Sequence, residues 1–354
     1  MKHLFRILLV IAPQNIPAQI PPTHIVIVIF ENQSVDSIVG NPAAPYINSL
    51  LNNSRTASLI QSYSLTHPSQ PNYISLFSGS SQGATDDNIP DNLPFTAPNI
   101  GAELINNSYS FIGYSENLPY TGSTDSVFNG YARKHNPWAN WQGSSINGIP
   151  ATSNRAFTDF PVNYSYLPTV SFVIPTLYND MHDGSISTGD EWLKTNLDGY
   201  IEYCLTNNSL FILTFDEDNS LSNNHILTFF TGEHIVGGRY GQMVTHYNVL
   251  RTIEEFYSLS YAGASADSSA IKKVWQTITP VTYTFIGNGN WDISSNWQDG
   301  IMPPNILLPG NEIIVDPQFG GQCIVNVPYT VSNGAMFKII PGKNLIIESK
   351  LIFN

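Results

Sequence analysis

The sequence predicts an α/β protein in which a mostly parallel sheet is flanked by helices, with a small all-β module after it. Two long apolar runs, His24 to Phe30 and Leu210 to Phe215, carry the β-branched and aromatic residues of strands buried on both faces. Runs of this kind alternate with helical patterns as far as about residue 280, which is the order of βαβ units. From Tyr283 onwards the helical patterns stop, and short alternating segments separated by Gly, Asn and Pro take over.

After the opening strand, Asn41-Pro42 marks a turn, and Ala43 to Leu51 reads as a helix. Ala57 to Tyr63 is the second strand, and prolines around Ser69 place that residue at the mouth of a helix through Leu76 and Phe77. Ala97 to Asn106 reads as a helix, and Tyr109 to Tyr114 and Val170 to Ile174 read as strands. Between them, residues 116 to 166 form long ordered excursions, where binding groups often reside. Thr188 and Glu191 have capping-box spacing and open a helix to about Leu205. His225 to Phe230 is a further strand and His246 to Tyr257 a helix. In the last part, Ile313 to Val315, Cys323 to Val327, Met336 to Ile340 and Leu345 to Ile352 read as strands.

These readings divide the chain into an export signal (1–20), an α/β domain (21–263), a linker (264–280) and a β-rich module (281–354). The signal rests on Lys2, His3 and Arg6 ahead of the apolar Ile7 to Ala12, with cleavage expected after Ala18. It predicts a secreted, periplasmic or cell-surface protein. No later run is long enough to span a bilayer.

At 354 residues the chain can bury a large core, and with 42% hydrophobic and 12% charged residues it is globular in composition. A formal net charge of -13 argues against a nucleic-acid binder, which needs a basic face to displace counterions. Any anionic substrate must then be met by a metal ion or by a few focused cations. Cys204 and Cys323 are far apart and lack metal-ligand spacing.

Acidic or amide residues stand where strands end: Glu31-Asn32, Asp180 with Asp183, and Asp216-Glu217. In a parallel sheet these endings share one edge, and oxygen donors of that kind suit hard divalent cations. An isolated pair of this type is ordinarily a solvated or capping group; recurrence at successive strand ends favours a site. Ser69, at a helix mouth, is either an N-cap or a nucleophile aided by helix amides. His182, between two acidic residues, has the setting of an acid that protonates a leaving oxygen. Arg133-Lys134-His135 is a compact basic triplet in an acidic chain and invites a phosphate contact.

Together, Phe30-Glu31-Asn32, the Tyr-x-Asn-x-Leu of Tyr46 to Leu50, His67-Pro68-Ser69-Gln70-Pro71-Asn72-Tyr73, Arg133 to Pro137, Asn179 to Gly184, Thr214 to Asp218, and His246-Tyr247 ahead of Leu250 to Glu254 resemble the phosphoesterase family. This is the acid phosphatase and bacterial phospholipase C group of the alkaline-phosphatase-like superfamily, and the likeness spans residues 24 to 258. The resemblance implies Glu31, Asn32, Ser69, Asp216 and Glu217 as ligands of one or more divalent metal ions. It implies Ser69 as nucleophile, His182 as its catalytic partner, and Lys134, His135, Asp183 and His246 as substrate contacts. The expected function is a secreted phosphomonoesterase working through a phosphoserine, on a small phosphate ester or a phospholipid headgroup. A phospholipase C-type phosphodiesterase is the alternative, and a non-catalytic surface or glycan-binding protein on a degenerate phosphatase fold is another. The segment after Tyr283 resembles modules of secreted bacterial surface proteins, which implies cell-surface or glycan contact.

Overall fold

The computed structural model describes residues 20–276, 280–308, 310–332 and 335–353. The N-terminal pattern read as an export signal lies outside them, apart from Ile20. The chain forms two compact units, one of Pro21–Gln276 and one whose described C-terminal residues begin at 280.

In the larger unit the strands are β1 (His24–Phe30), β2 (Thr56–Tyr63), β3 (Phe111–Ser115), the hairpin β4 (Val127–Phe128) and β5 (Tyr131–Ala132), β6 (Asn154–Ala156), β7 (Val170–Ile174), β8 (Ser209–Phe215), β9 (Thr228–Gly232) and β10 (Gly238–Thr245). The helices are α1 (Val35–Ile38), α2 (Pro45–Leu51), α3 (Ser69–Ser78), α4 (Ile100–Asn106), α5 (Ile186–Cys204) and α6 (His246–Phe256). One eight-stranded sheet runs β10-β2-β9-β8-β1-β7-β3-β6. Only β9 is antiparallel to its neighbours, so the carboxyl ends of the other seven strands lie on a single edge. β1 sits near the centre, paired on one side with β7 and on the other with β8.

The alternation of β1 divides the core. Ile25, Ile27 and Ile29 pack with Phe77 of α3, Leu104 of α4 and Leu250 and Ile253 of α6 on one face. Val26, Val28 and Phe30 meet Ile47 of α2 and Trp192, Leu193 and Leu197 of α5 on the other. Both faces are dry, which is why β1 reads as a continuous apolar run. α3 ends at Gly79, whose φ of 70° is left-handed, and a Cβ there would lie 1.9 Å from the Ala262 carbonyl oxygen.

Several expectations shift. α5 begins earlier than the Thr188 box implies: Ser185 is its N-cap and its Oγ accepts from the Thr188 N–H at 3.2 Å. β9 starts at Thr228, three residues after His225. β10 has no counterpart in the sequence reading; it is a polar, largely exposed strand at the sheet edge, without an apolar run to announce it. Residues read as linker pack into the larger unit, with Ile271 and Val274 in its core. Cys204 and Cys323 are both free and buried.

Among the described residues, the second unit contains three three-stranded parallel sheets. Their strands are Thr282–Phe285, Glu312–Val315 and Met336–Ile339; Gly289–Asn290, Gln322–Val325 and Asn344–Ile347; and Ile306–Leu307, Tyr329–Val331 and Leu351–Phe353. Each sheet takes one strand from each successive stretch of chain, so the described strands stack as coils of a parallel solenoid. The stretch read as one strand, Leu345 to Ile352, turns a corner and supplies two sheets. Trp291 and Trp297 fill the interior, edge to face at 4.6 Å.

Gly113 in β3 faces Trp138 so closely that a Cβ would lie 2.1 Å from Cε2 of the indole. Gly113→Ala is expected to lower stability by about 1–3 kcal/mol or more by overpacking. Urea unfolding checks this, and an unchanged midpoint would contradict it.

Candidate active site

The carboxyl-terminal edge of the sheet gathers acidic side chains around Glu31. β1 and β8 pair through Phe30 and Phe215, so Glu31 and Asp216 leave the sheet side by side. The Asp216 N–H donates to the Phe30 carbonyl at 2.9 Å and the Glu31 N–H to the Asp180 carbonyl at 2.8 Å. Asn32 takes a left-handed φ of 55°, a conformation asparagine tolerates, and its N–H donates to Asp216 Oδ1 at 3.2 Å.

Ser69 is the first residue of α3, and Pro68 is its N-cap without a side-chain capping bond. The serine hydroxyl instead donates to Glu31 Oε2 at 3.0 Å. One turn along α3, the Tyr73 hydroxyl donates to Glu31 Oε1 at 2.5 Å. His135 stacks on Tyr73 at 4.8 Å between ring centroids. Its Nε2 lies 3.0 Å from Glu31 Oε1 and its Nδ1 lies 3.4 Å from Asp180 Oδ2.

Burial dominates the electrostatics. Glu31 and Asp180 are 0% exposed and Asp216 is 1% exposed. Desolvation, followed by the fields of Asp216 and Asp180, pushes Glu31 well above the carboxylate range. Asp216 is raised by burial and then by Glu217; Asp180 is raised by burial to about 8. Glu217 is raised to about 7 by burial and then by Asp87. Burial, then Lys134 and His182, holds His135 well below the usual imidazole value, so its ring is neutral.

Three enclosed atoms, Asp180 Oδ2, Asp216 Oδ2 and His135 Nε2, have no hydrogen-bond partner among the described residues. His135 Nε2 is near Glu31 without a hydrogen bond to it. Orphaned, buried oxygens and an imidazole nitrogen with its lone pair free are the donors a divalent cation takes. Glu31, His135 and Asp180 offer ligand atoms within 4.8 Å of one another. The residues present therefore fit a metal ion. Asp180 was singled out in the sequence as a strand-end acid but given no ligand role; its proximity to His135 had no linear signal.

A second tier surrounds these groups. Asn72 Nδ2 donates to Glu217 Oε2 at 3.4 Å, and His67 lies 3.0 Å from Glu217 and 3.3 Å from Asp218. His246 is enclosed, and its Nε2 donates to the Asp216 main-chain carbonyl at 2.8 Å, which also accepts from the Ser64 hydroxyl. Burial lowers the His246 pKa to about 4. It thus supports the backbone of Asp216.

At the rim, Lys134 Nζ donates to Asp87 Oδ2 at 2.8 Å and lies 3.4 Å from His182 Nε2. An ammonium only donates, so His182 Nε2 accepts and Nδ1–H donates to Asp183 Oδ1 at 2.7 Å. The basic triplet is divided: Arg133 and His135 are buried, and Lys134 holds the charge at the rim. The helix amides are also less available than expected. Pro71 has no N–H, and the Gln70 N–H donates to Asp87 Oδ1 at 3.0 Å, which leaves Ser69's own amide.

Residues 43–260 match the model of the family described as the Phosphoesterase family. The phosphatidylinositol-3-phosphatase of Mycobacterium tuberculosis is 45% identical over 254 residues, covering 71% of this chain and 82% of that protein. An acid phosphatase of Aspergillus fumigatus is 28% identical over 57% of this chain, which spans only 48% of that relative. Among solved structures, a protein of the alkaline phosphatase superfamily from Vibrio parahaemolyticus aligns with a TM-score of 0.51 over 73% of this chain and 72% of that one. At 13% identity this likeness speaks for the fold alone.

Above the ordinary imidazole range, from about pH 7.5 to about 8.5, the raised carboxyl groups govern the pH dependence of stability. A group whose pKa is raised on folding stabilises the protein below its unfolded pKa and loses that contribution as pH rises through the folded value. With Asp180 at about 8, the melting temperature of metal-depleted protein is expected to fall across this window. A flat or rising profile by scanning calorimetry would contradict the assignment.

Proposed function

We propose, for a chain that belongs to the phosphoesterase family, that it is a metal-dependent phosphomonoesterase with Ser69 as nucleophile. The observation that carries this reading is the Ser69 hydroxyl, first in α3, donating to Glu31 within a cluster of buried carboxylates. Hydrolysis of phosphate esters follows from the family; the metal, the intermediate and the residue roles are our inference.

In this reading Glu31, Asn32, Asp216, Glu217 and Ser69 hold a divalent ion, with His135 and Asp180 as further donors beside Glu31. When bound, the ion supplies positive charge that lets the carboxylates ionise and lowers the pKa of the serine hydroxyl. The Ser69 proton leaves along its existing hydrogen bond towards Glu31 Oε2. The serine oxygen then attacks phosphorus in line as the bond to the ester oxygen breaks, giving phosphoserine and an alkoxide that takes its proton from solvent beside His182, and water cleaves the phosphoserine. Lys134 balances charge on the phosphoryl oxygens, and its field already reaches Glu31, Asp180 and Glu217. His182, oriented by Asp183, serves the departing oxygen. His246 acts at one remove, through the Asp216 backbone.

Two finer inferences follow. The Mycobacterium relative is named for a phosphoinositide, so phosphatidylinositol 3-phosphate is the first natural ester to test, alongside small monoesters. Export rests on the N-terminal pattern; among the described residues, no helix is long and apolar enough to cross a membrane.

Release of p-nitrophenol from its mono- and bis-phosphate esters tests the reading. Wild type is expected to prefer the monoester and to lose turnover on exhaustive chelation. Ser69→Ala is expected to lose roughly a thousandfold or more in kcat, and acid-quenched wild type to carry phosphate on the Ser69 peptide. Full activity after chelation or in Ser69→Ala would overturn it, as would inactivity on both esters; preference for the bis ester would select the phosphodiesterase.

A further inference from the structure

Asp87 lies in the segment after α3, and no motif marks it. Its two carboxylate oxygens have separate partners. Oδ1 accepts from the Gln70 N–H at 3.0 Å, and Oδ2 accepts from Lys134 Nζ at 2.8 Å. Gln70 is the residue after Ser69, and its buried side chain fastens the same loop. Its Nε2 donates to the Asp86 carbonyl at 2.9 Å and to the Asn88 carbonyl at 2.6 Å. The carbonyls on either side of Asp87 are thus clamped by the residue beside the serine. Asp87 is built into the amino-terminal end of α3 by three hydrogen bonds, and Lys134 is tied to it.

We propose that Asp87 is a positioning residue: it fixes the Lys134 ammonium relative to the Ser69 hydroxyl, so that the cation stands ready for the phosphoryl group. This rests on the reading of Lys134 as a phosphoryl contact. A lysine has a long, freely rotating stem and little geometry of its own, so its placement must come from partners. A tether to the residue next to Ser69 keeps serine and cation in one frame. With Pro71 lacking an N–H and the Gln70 N–H committed to Asp87, the helix end contributes little to holding an anion, and the work passes to the tethered lysine. Asp87 also keeps Lys134 charged despite burial, since the carboxylate raises its pKa against desolvation.

The test is a double-mutant cycle on the intact protein, reading kcat, KM for p-nitrophenyl phosphate and the inhibition constant of inorganic phosphate. In Asp87→Asn the side-chain oxygen still accepts from Gln70, but the amide nitrogen cannot accept from Lys134. This variant is expected to raise KM and the phosphate inhibition constant about tenfold, the scale of one charge-assisted hydrogen bond. Its kcat should fall less, and its urea midpoint should match wild type. Lys134→Met should raise both constants at least as far, and the double variant should be no worse than Lys134→Met alone. Asp87→Glu should recover part of the loss. Equal effects of Asp87→Asn with and without Lys134 would overturn the proposal. Tighter phosphate binding in Asp87→Asn would also overturn it, because the carboxylate would then be a competing anion. An unchanged phosphate constant in Lys134→Met would remove the underlying reading of Lys134 and this inference with it.

Discussion

The enclosure of Glu31, Asp180 and Asp216 at the ends of three adjacent strands is the constraint on which the rest of the site depends. An isolated buried carboxylate is costly to ionise, and three together add mutual repulsion to desolvation. The fold surrounds them with neutral donors: the Ser69 and Tyr73 hydroxyls reach Glu31, and the Asn32 amide reaches Asp216. These bonds orient the carboxyl groups without bringing a countercharge to them. The orphaned oxygens of Asp180 and Asp216 remain for a cation to meet. The parallel sheet makes this gathering unavoidable, because β1, β7 and β8 all point their carboxyl ends the same way.

Positive charge is organised around that cluster by separation of neighbours in sequence. Lys134 and His135 are adjacent, yet one takes the rim with Asp87 and the other lies neutral against Glu31 and Asp180. The short helical turn Arg133–His135, entered from the β4–β5 hairpin, directs consecutive side chains apart. An imidazole kept neutral can give a lone pair to a metal, whereas an ammonium outside can meet a phosphoryl oxygen. His67 and His246 brace the far jaw, one against the Glu217 and Asp218 carboxylates and one against the Asp216 backbone.

The sheet and its acidic edge were legible because both have short-range signatures: unbroken β-branched runs that stop at a carboxylate. Glu31 and Asp216 are each the first residue after such a run, and Ser69 follows a proline that stops extension. The edge strand β10 was not legible, since an exposed strand needs no apolar pattern. Nor was the Ser185 cap of α5, because Thr188 has a Glu three residues on and Ser185 does not, so the capping-box pattern points to the later residue. Asp87 and Asp180 show the limit most clearly. Each acquires its place from partners 47 and 45 positions away, Lys134 and His135; Asp180 announces itself as a strand-end acid but not its meeting with His135, and nothing local distinguishes Asp87 from a solvated loop acid. The solenoid was read as strands but not as coils, since its stacking joins residues that lie in successive turns.

The most direct measurement is calorimetric titration of metal-depleted protein with a divalent ion near pH 7, in buffers of different ionisation enthalpy. If burial keeps Glu31, Asp180 and Asp216 protonated until a cation arrives, binding must expel protons, and the apparent heat must vary with the buffer. Release of about one proton or more per ion is the result expected of carboxyl groups held this far above their ordinary values. Saturable binding with no proton release, or no binding, would contradict the account that these buried carboxylates exist to hold a metal.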